Sequence, residues 1–392
     1  MLGGEDVSTV REIMMEFADL TGLSPAGRTP RRYLWTDAFA VCNFLELHRQ
    51  TGDEEYKDLA LRLVDQVHHV LGRHREDDSR TGWISGLSEE DGRRHPTAGG
   101  LRIGKGLTER KRRESYDERL EWDRDGQYYH YLTKWMHALN CVRRVTGNPI
   151  FNVWAIELAK TAHSRFAYLP SRGGIKRMYW KMSIDLSRPL VPSMGQHDPL
   201  DGLITYRQLQ AAAEKGKKST ARKDLESEIA DMVEICEEMT WDTDDPLGIG
   251  GLLCDAHRMA QLSVDQGSEE KDLLVTLLAC ALRGLGHFAR GSLLVSPSDY
   301  RLAFRELGLS IGLRAVQRLQ RLIERNPKLF GKAHPVHTKI KSLIRYLPLC
   351  EGIEKFWQDP ASAENETWRE HREINMVMLA TSLAPDSYLV LS

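Results

Sequence analysis

Apolar residues recur at three- and four-residue intervals from one end of the chain to the other, while sustained period-two alternation is almost absent. The periodicity predicts helices near 6–21, 33–50, 54–74, 126–146, 149–167, 202–215, 219–239, 249–265, 269–289, 298–311, 312–325, 335–346 and 365–381. Leu132, Trp135, Met136, Leu139 and Val142 illustrate the spacing. One β-rich or irregular excursion is expected between 75 and 120. The fold class is therefore predicted to be all-α.

A weak internal repeat organises these helices. Thr51-Gly52-Asp53 leads into a helix carrying Leu59, Ala60 and Leu63, and Thr146-Gly147-Asn148 leads into one carrying Trp154, Ala155 and Leu158. Glycine closes the first helix in a left-handed conformation, and Asp or Asn caps the second. A helical hairpin cannot bury both faces alone, so such pairs stack side by side, as an open solenoid or a closed ring.

With 392 residues, the chain is long enough for one large domain or two to three ordinary ones. Its 41% hydrophobic content supports a sizeable core. A formal net charge of −2 supplies no field for nucleic acid or a membrane surface, so neither is an expected partner. No apolar run reaches the roughly 20 residues that span a bilayer, and the N-terminus lacks a basic stretch followed by an apolar one. Cys42, Cys141, Cys236, Cys254, Cys280 and Cys350 are scattered without CxxC spacing, so neither structural zinc nor disulfides are expected. A reducing, cytoplasmic setting fits that usage.

Three connecting segments interrupt the helices. The stretch from Arg75 to Glu118 is polar and glycine-rich, with Gly99-Gly100-Leu101-Arg102-Ile103-Gly104-Lys105-Gly106 and the basic run Arg110–Arg113. The glycine run lacks GxxxxGK[ST] and a strand–loop–helix context, which argues against a nucleotide site. Loops this long in a compact domain usually serve function, so residues 75–118 are expected to form a lid. The others are Tyr168–Leu200 and Trp241–Gly251, while Glu214-Lys215-Gly216-Lys217-Lys218 reads as a solvated turn.

Polar and aromatic clusters stand at the starts of alternate helices. They are Arg31–Asp37, Trp122–Tyr131, Gln196–Asp201, Cys254–Arg258, Tyr300–Glu306 and Trp368–Glu373. The second is the densest, with Glu121-Trp122-Asp123-Arg124-Asp125-Gly126-Gln127-Tyr128-Tyr129-His130-Tyr131. One helix cap needs one side chain, so capping leaves most of that cluster unexplained. In a ring of hairpins the inner helices start at one mouth, which would gather all six clusters into one pocket.

With Arg32-Tyr33-Leu34-Trp35 opening an inner helix and the Thr-Gly-Asp/Asn connectors joining pairs, the chain resembles the (α/α)6 toroid of the six-hairpin glycosidase and N-acylglucosamine epimerase type. The resemblance implies a single toroid domain over 1–392 and a small, sugar-like substrate. It transfers no catalytic residue, because neither one hydrolase family's acid and base nor the epimerases' histidine pair is matched.

The residues themselves carry two chemistries. Inverting glycoside hydrolysis needs a carboxylic acid and a carboxylate about 6.5–9.5 Å apart. Asp125 is the preferred acid, since Trp122, Tyr128 and Tyr129 would desolvate it, with Asp198 or Asp201 as base and Asp37 a third option. His197 joins this catalytic set; Trp35, Trp122, Asp123, Gln127, Tyr128, His130, Gln196, His257, Arg301 and Arg305 are expected to bind substrate. Carboxylates outnumber histidines in the central clusters, which puts hydrolysis of a small soluble glycoside first. The alternative is a sugar epimerase or isomerase using two of His130, His197, His257 and His371. His68, His69, His95 and His137 stand outside the clusters.

Two further readings remain. Asp242-Thr243-Asp244-Asp245 spells the DxDD acid motif of class II terpene cyclases, against which stands an acidic turn closed by Pro246. A non-catalytic helical scaffold would not need Trp, Asp, Tyr and His together at alternate helix starts. His197, Asp198 and Asp201, or Asp255 and His257, offer metal donors without a tight motif, so no metal and no cofactor is expected. Oligomeric state is left open.

Overall fold

The computed structural model describes residues 4–25, 29–214, 225–266, 271–291, 293–331 and 333–391. Its longer helices are α1 (Gly4–Leu20), α2 (Leu34–Thr51), α3 (Glu54–Leu71), α4 (Tyr129–Thr146), α5 (Ile150–Phe166), α6 (Asp198–Glu214), α7 (Glu226–Glu237), α8 (Pro246–Gln266), α9 (Lys271–Phe288), α10 (Ala303–Arg325), α11 (Pro335–Ile344), α12 (Leu347–Gln358) and α13 (Arg372–Leu383). The chain is all-α, as its periodicity predicts. The predicted helices 298–311 and 312–325 run together as α10 from Ala303, after a separate 3-10 turn at Ser298–Tyr300, and α12 was not foreseen. The start of the helix predicted at 219–239 and the turn Lys215–Lys218 lie outside the described residues.

The chain divides into two compact units, 18–239 and 1–17 with 240–392. In the first, α2, α4 and α6 form a row, α2 packing on α4 and α4 on α6. Each is backed by the helix that follows it, α3, α5 and α7. Every residue from Leu34 to Leu47 is buried, as an inner helix requires, whereas α3 buries one stripe through Leu59, Leu63 and Val67.

The two repeated connectors have the same geometry. Gly52 sits at φ +72° with its N–H on His48 O at 2.8 Å, and the Asp53 carboxylate accepts from Glu55 N at 3.0 Å. Gly147 sits at φ +69° with its N–H on Arg143 O at 2.9 Å, and Asn148 Oδ1 accepts from Ile150 N at 3.1 Å. Both turns use the left-handed region that glycine enters without penalty.

The β structure lies later than expected. Strand β1 (Gln127–Tyr128) pairs antiparallel with β4 (Lys181–Met182), which pairs with β5 (Pro189–Val191); β2 (Ala167–Tyr168) and β3 (Arg177–Met178) form a separate ribbon. Residues 75–118 are mostly irregular, with one short helix, Glu89–Arg94.

In the second unit α8 packs on α9 and α10, and α10 also meets α11, α12 and α13. Helices α8 and α10 approach at backbone distance: a Cβ on Gly250 would lie 2.0 Å from Gly308 O. Among the described residues no helix is long and apolar enough to cross a membrane.

Candidate active site

Three helix starts of the 18–239 unit collect around His130. Trp35 is the second residue of α2, His130 the second of α4, and Asp198 the first of α6. His130 Nδ1 faces Asp198 Oδ1 at 3.7 Å, and the Trp35 ring stands edge-on to the imidazole at 5.9 Å between centroids. Tyr128 lies 5.3 Å away, Tyr131 4.9 Å away, and Trp180 is nearly parallel to the ring at 6.3 Å. Tyr33 shares its hydroxyl with Tyr131 at 2.5 Å and lies beneath the Lys105 ammonium. The result is an imidazole and a carboxylate inside an aromatic box.

The polar atoms there are left open. Trp35 Nε1, His130 Nδ1 and Asp198 Oδ2 are buried and make no hydrogen bond. Trp35 and Asp198 are each only 7% exposed. A buried donor or acceptor without a partner costs about 1–3 kcal/mol, so each of these atoms would gain from a polar partner. Three helix N-termini add partial positive charge, which favours an anion or a developing oxyanion. Burial pushes the Tyr33 hydroxyl up to about 12, keeping it a neutral donor.

The remaining expected residues have other duties. Asp125 is fully buried, and two guanidiniums and two amides hold it. Its Oδ2 takes Arg102 at 2.5 Å and Arg75 at 3.3 Å, and its Oδ1 takes the N–H groups of Gly104 and Gly126 at 3.0 Å each. Four donors on one carboxylate make an anchor and leave no position for the proton of a general acid. Asp201 is held by Lys134 at 2.7 Å and by the Thr133 hydroxyl. Asp37 accepts from Arg32 at 3.3 Å and from Tyr33 N at 2.9 Å, closing the first turn of α2.

Gln127 does not face a ligand either. Its amide accepts from Leu101 N and donates to Gly99 O and Ile184 O at 2.9, 3.0 and 2.7 Å, clamping three loops. Trp122 is exposed, its ring against Trp180 at 5.0 Å, and Asp123 is exposed beside it. Gln196, exposed, and His197, half-buried, lead into α6. The 75–118 segment, expected as a lid, is tied down by Arg75 and Arg102 and reaches the box through Lys105.

In the 240–392 unit, Arg301 forms a buried two-pronged pair with Glu306 at 2.8 and 2.5 Å and lies over Phe356. Arg305 pairs with Asp245 at 2.6 Å on the surface. His257 is buried in α8, and burial pulls its pKa down to about 3. His371 is exposed against Phe304. The DxDD stretch is a surface turn: Asp242 pairs with Arg283, Asp244 is exposed, and Asp245 caps α8 through Gly248 N at 2.9 Å. A cyclase acid needs burial, so that reading is withdrawn.

Trp180, Tyr131 and Tyr33 belong to the box but were not singled out as ligand contacts. The signal was available for Trp180: Met178-Tyr179-Trp180-Lys181 is an apolar, aromatic interruption in a polar connecting segment.

No known protein family and no curated protein matches the sequence. Solved structures do. The crystal structure of D-mannose isomerase superposes with a TM-score of 0.50 at 13% identity, covering 97% of this chain and 97% of that one. Cellobiose 2-epimerase from Spirochaeta thermophila gives a TM-score of 0.47 at 12% identity, covering 95% and 97%. The unsaturated glucuronyl hydrolase specific for heparin gives 0.34 at 12% identity, covering 98% and 96%. The fold expected from the sequence, an all-α (α/α)6 toroid, is thus the fold of this chain.

Proposed function

We propose that this protein is a carbohydrate-active enzyme that isomerises a small free sugar by proton transfer at the carbon beside its carbonyl. His130 is the base. Its Nδ1 faces the Asp198 carboxylate, so the proton sits on Nδ1 and the Nε2 lone pair is left for substrate. Contacts of this kind tighten when substrate binds. One base on one face suits an aldose–ketose isomerase: Nε2 removes the proton from C2 as O1 gains one and an enediol forms, and the same nitrogen returns the proton to C1 as O2 gives up its hydroxyl proton. An epimerase must deliver the proton to the opposite face, which calls for a second base.

The observation that carries this reading is His130 facing Asp198 inside an aromatic box, with the buried Trp35 Nε1 and Asp198 Oδ2 making no hydrogen bond. Trp35, Tyr128 and Trp180 offer faces for the apolar side of a sugar ring. The Trp35 N–H, the Asp198 oxygen and the helix N-termini offer partners for hydroxyls and for the enediolate oxygen. The isomerase fold likeness points the same way. Paired-carboxylate hydrolysis, ranked first on the sequence, fits less well: of the four carboxylates considered, Asp125, Asp201 and Asp37 are each held by donors. Asp198 alone does not make a pair.

The test is NMR of a panel of aldoses, ketoses and disaccharides incubated with the protein in deuterated water. The expected result is an isomerised sugar with deuterium at the carbon that received the proton. His130→Gln is expected to lower kcat by about 10²–10⁴-fold. Hydrolysed disaccharide without exchange would restore the hydrolase reading, and full isomerase activity in His130→Gln would remove this residue from the mechanism.

A further inference from the structure

Two turns along the same helices lies a second constellation that the sugar chemistry does not use. Cys42 follows Trp35 by seven residues on α2, and His137 follows His130 by seven on α4, so each lies on the same face about 10 Å further in. Cys141 comes one turn after His137. One ligand atom from each of Cys42, His137 and Cys141 lies within 4.8 Å of the other two, and all three residues are buried. None of the cysteines is in a disulfide. We infer that Cys42, His137 and Cys141 form a binding site for a thiophilic metal ion, with zinc the fitting occupant.

The imidazole is fixed for this purpose. His137 Nδ1 meets Gln208 Oε1 at 3.0 Å. The Gln208 amide cannot be turned around, because its Nε2 donates to Asn140 Oδ1 at 2.8 Å. Asn140 in turn donates to Asn152 Oδ1 at 2.9 Å, and Asn152 to Leu209 O at 3.2 Å. The direction of this buried chain makes Gln208 Oε1 an acceptor, so His137 carries its proton on Nδ1. The Nε2 lone pair is then aimed at Cys141 Sγ, 3.5 Å away. A carbonyl-type oxygen on the far nitrogen is the usual support of a metal-ligating histidine.

Distances and charge agree. Tetrahedral zinc with Zn–S near 2.3 Å and Zn–N near 2.0 Å separates a sulfur and a nitrogen ligand by about 3.5 Å. Two thiolates would neutralise a divalent ion, so the filled site brings no net charge into the core. Binding releases the two thiol protons to solvent, and the three side chains supply three of the four positions zinc prefers. Such a site would tie α2 to α4, the two helices that position Trp35 and His130.

The test uses the full chain, purified, stripped with a chelator and titrated with cobalt(II) or zinc alone. The expected result is one metal per chain, a thiolate-to-cobalt charge-transfer band, and zinc X-ray absorption showing two sulfur neighbours. Cys42→Ser and Cys141→Ser should each abolish the two-sulfur signature, and Gln208→Leu, which removes the support of His137 together with the hydrogen bond to Asn140, should weaken binding about 10–100-fold. The wild-type spectra decide the matter even if a cysteine variant does not fold. A folded wild-type chain that takes up no metal, or holds it through oxygen and nitrogen alone, would overturn the site.

Discussion

His68 shows how one side chain sets a pH dependence. It is wholly buried in α3, where its Nε2 accepts from the Trp135 indole N–H at 3.2 Å, and burial lowers its pKa to about 3. The unfolded ring takes up a proton below about 6.5 while the folded ring refuses it until about 3, so stability is complete above 6.5 and falls as pH drops through that window. The slope is about 1.4 kcal/mol per pH unit for one ring, and His257 in the other unit acts in the same direction. Urea unfolding midpoints are expected to be lower at pH 5 than at pH 7, and His68→Gln, which keeps an acceptor for Trp135, should flatten the difference. Equal midpoints in the wild type would refute the argument. At this scale the sequence was only partly legible. The cluster around Asp125 was visible, but its role was not, since its guanidinium partners stand 50 and 23 residues upstream. Periodicity says nothing about such distant partners. His130 was named among binding candidates, and the helix start that placed it was correctly read.

Helices and turns were read best where the signal is local. Thr-Gly-Asp and Thr-Gly-Asn announced their left-handed glycines and caps, and both connectors formed as expected. Glycine misled where its purpose is contact between elements. A break was expected between 311 and 312, next to Gly312, yet α10 runs through both Gly308 and Gly312. They lie one turn apart, and a Cβ on Gly312 would stand 2.6 Å from the Gly250 Cα. The glycines thus permit two backbones to touch, and helix propensity yields to packing. Gly250→Ala, whose methyl would meet immovable backbone, is expected to destabilise the 240–392 unit by roughly 1–3 kcal/mol, read from thermal or urea unfolding. A neutral effect would mean the helices can separate freely. The strands of two and three residues were missed because they are too short to show alternation, and α12 was missed although Pro348 in its first turn is compatible with a helix start. Proline in the first helical turn costs nothing, since no hydrogen bond is lost there.

For the whole chain, the all-α class, the pairing of helices and the toroid fold followed from period, turns and motif resemblance. Within the 18–239 unit the starts of α2, α4 and α6 bring Trp35, His130 and Asp198 near one another. Elsewhere the clusters have local employment, as in the Arg301–Glu306 pair. The long irregular stretch has a further consequence in how the chain meets a protease. Its backbone is fastened at Arg102, Gly104 and Gln127, while Arg93, Arg94, Arg112 and Arg113 stand exposed. Trypsin under native conditions is therefore expected to nick the exposed arginines and to spare Arg102, as fragment masses would reveal. The nicked chain should elute from gel filtration as one particle, its pieces separating only in denaturant. Early cleavage at Arg102 would mean that the Asp125 anchor opens on its own. Sparing of that bond would identify residues 75–126 as a segment that gives way only together with the helices it is bolted to.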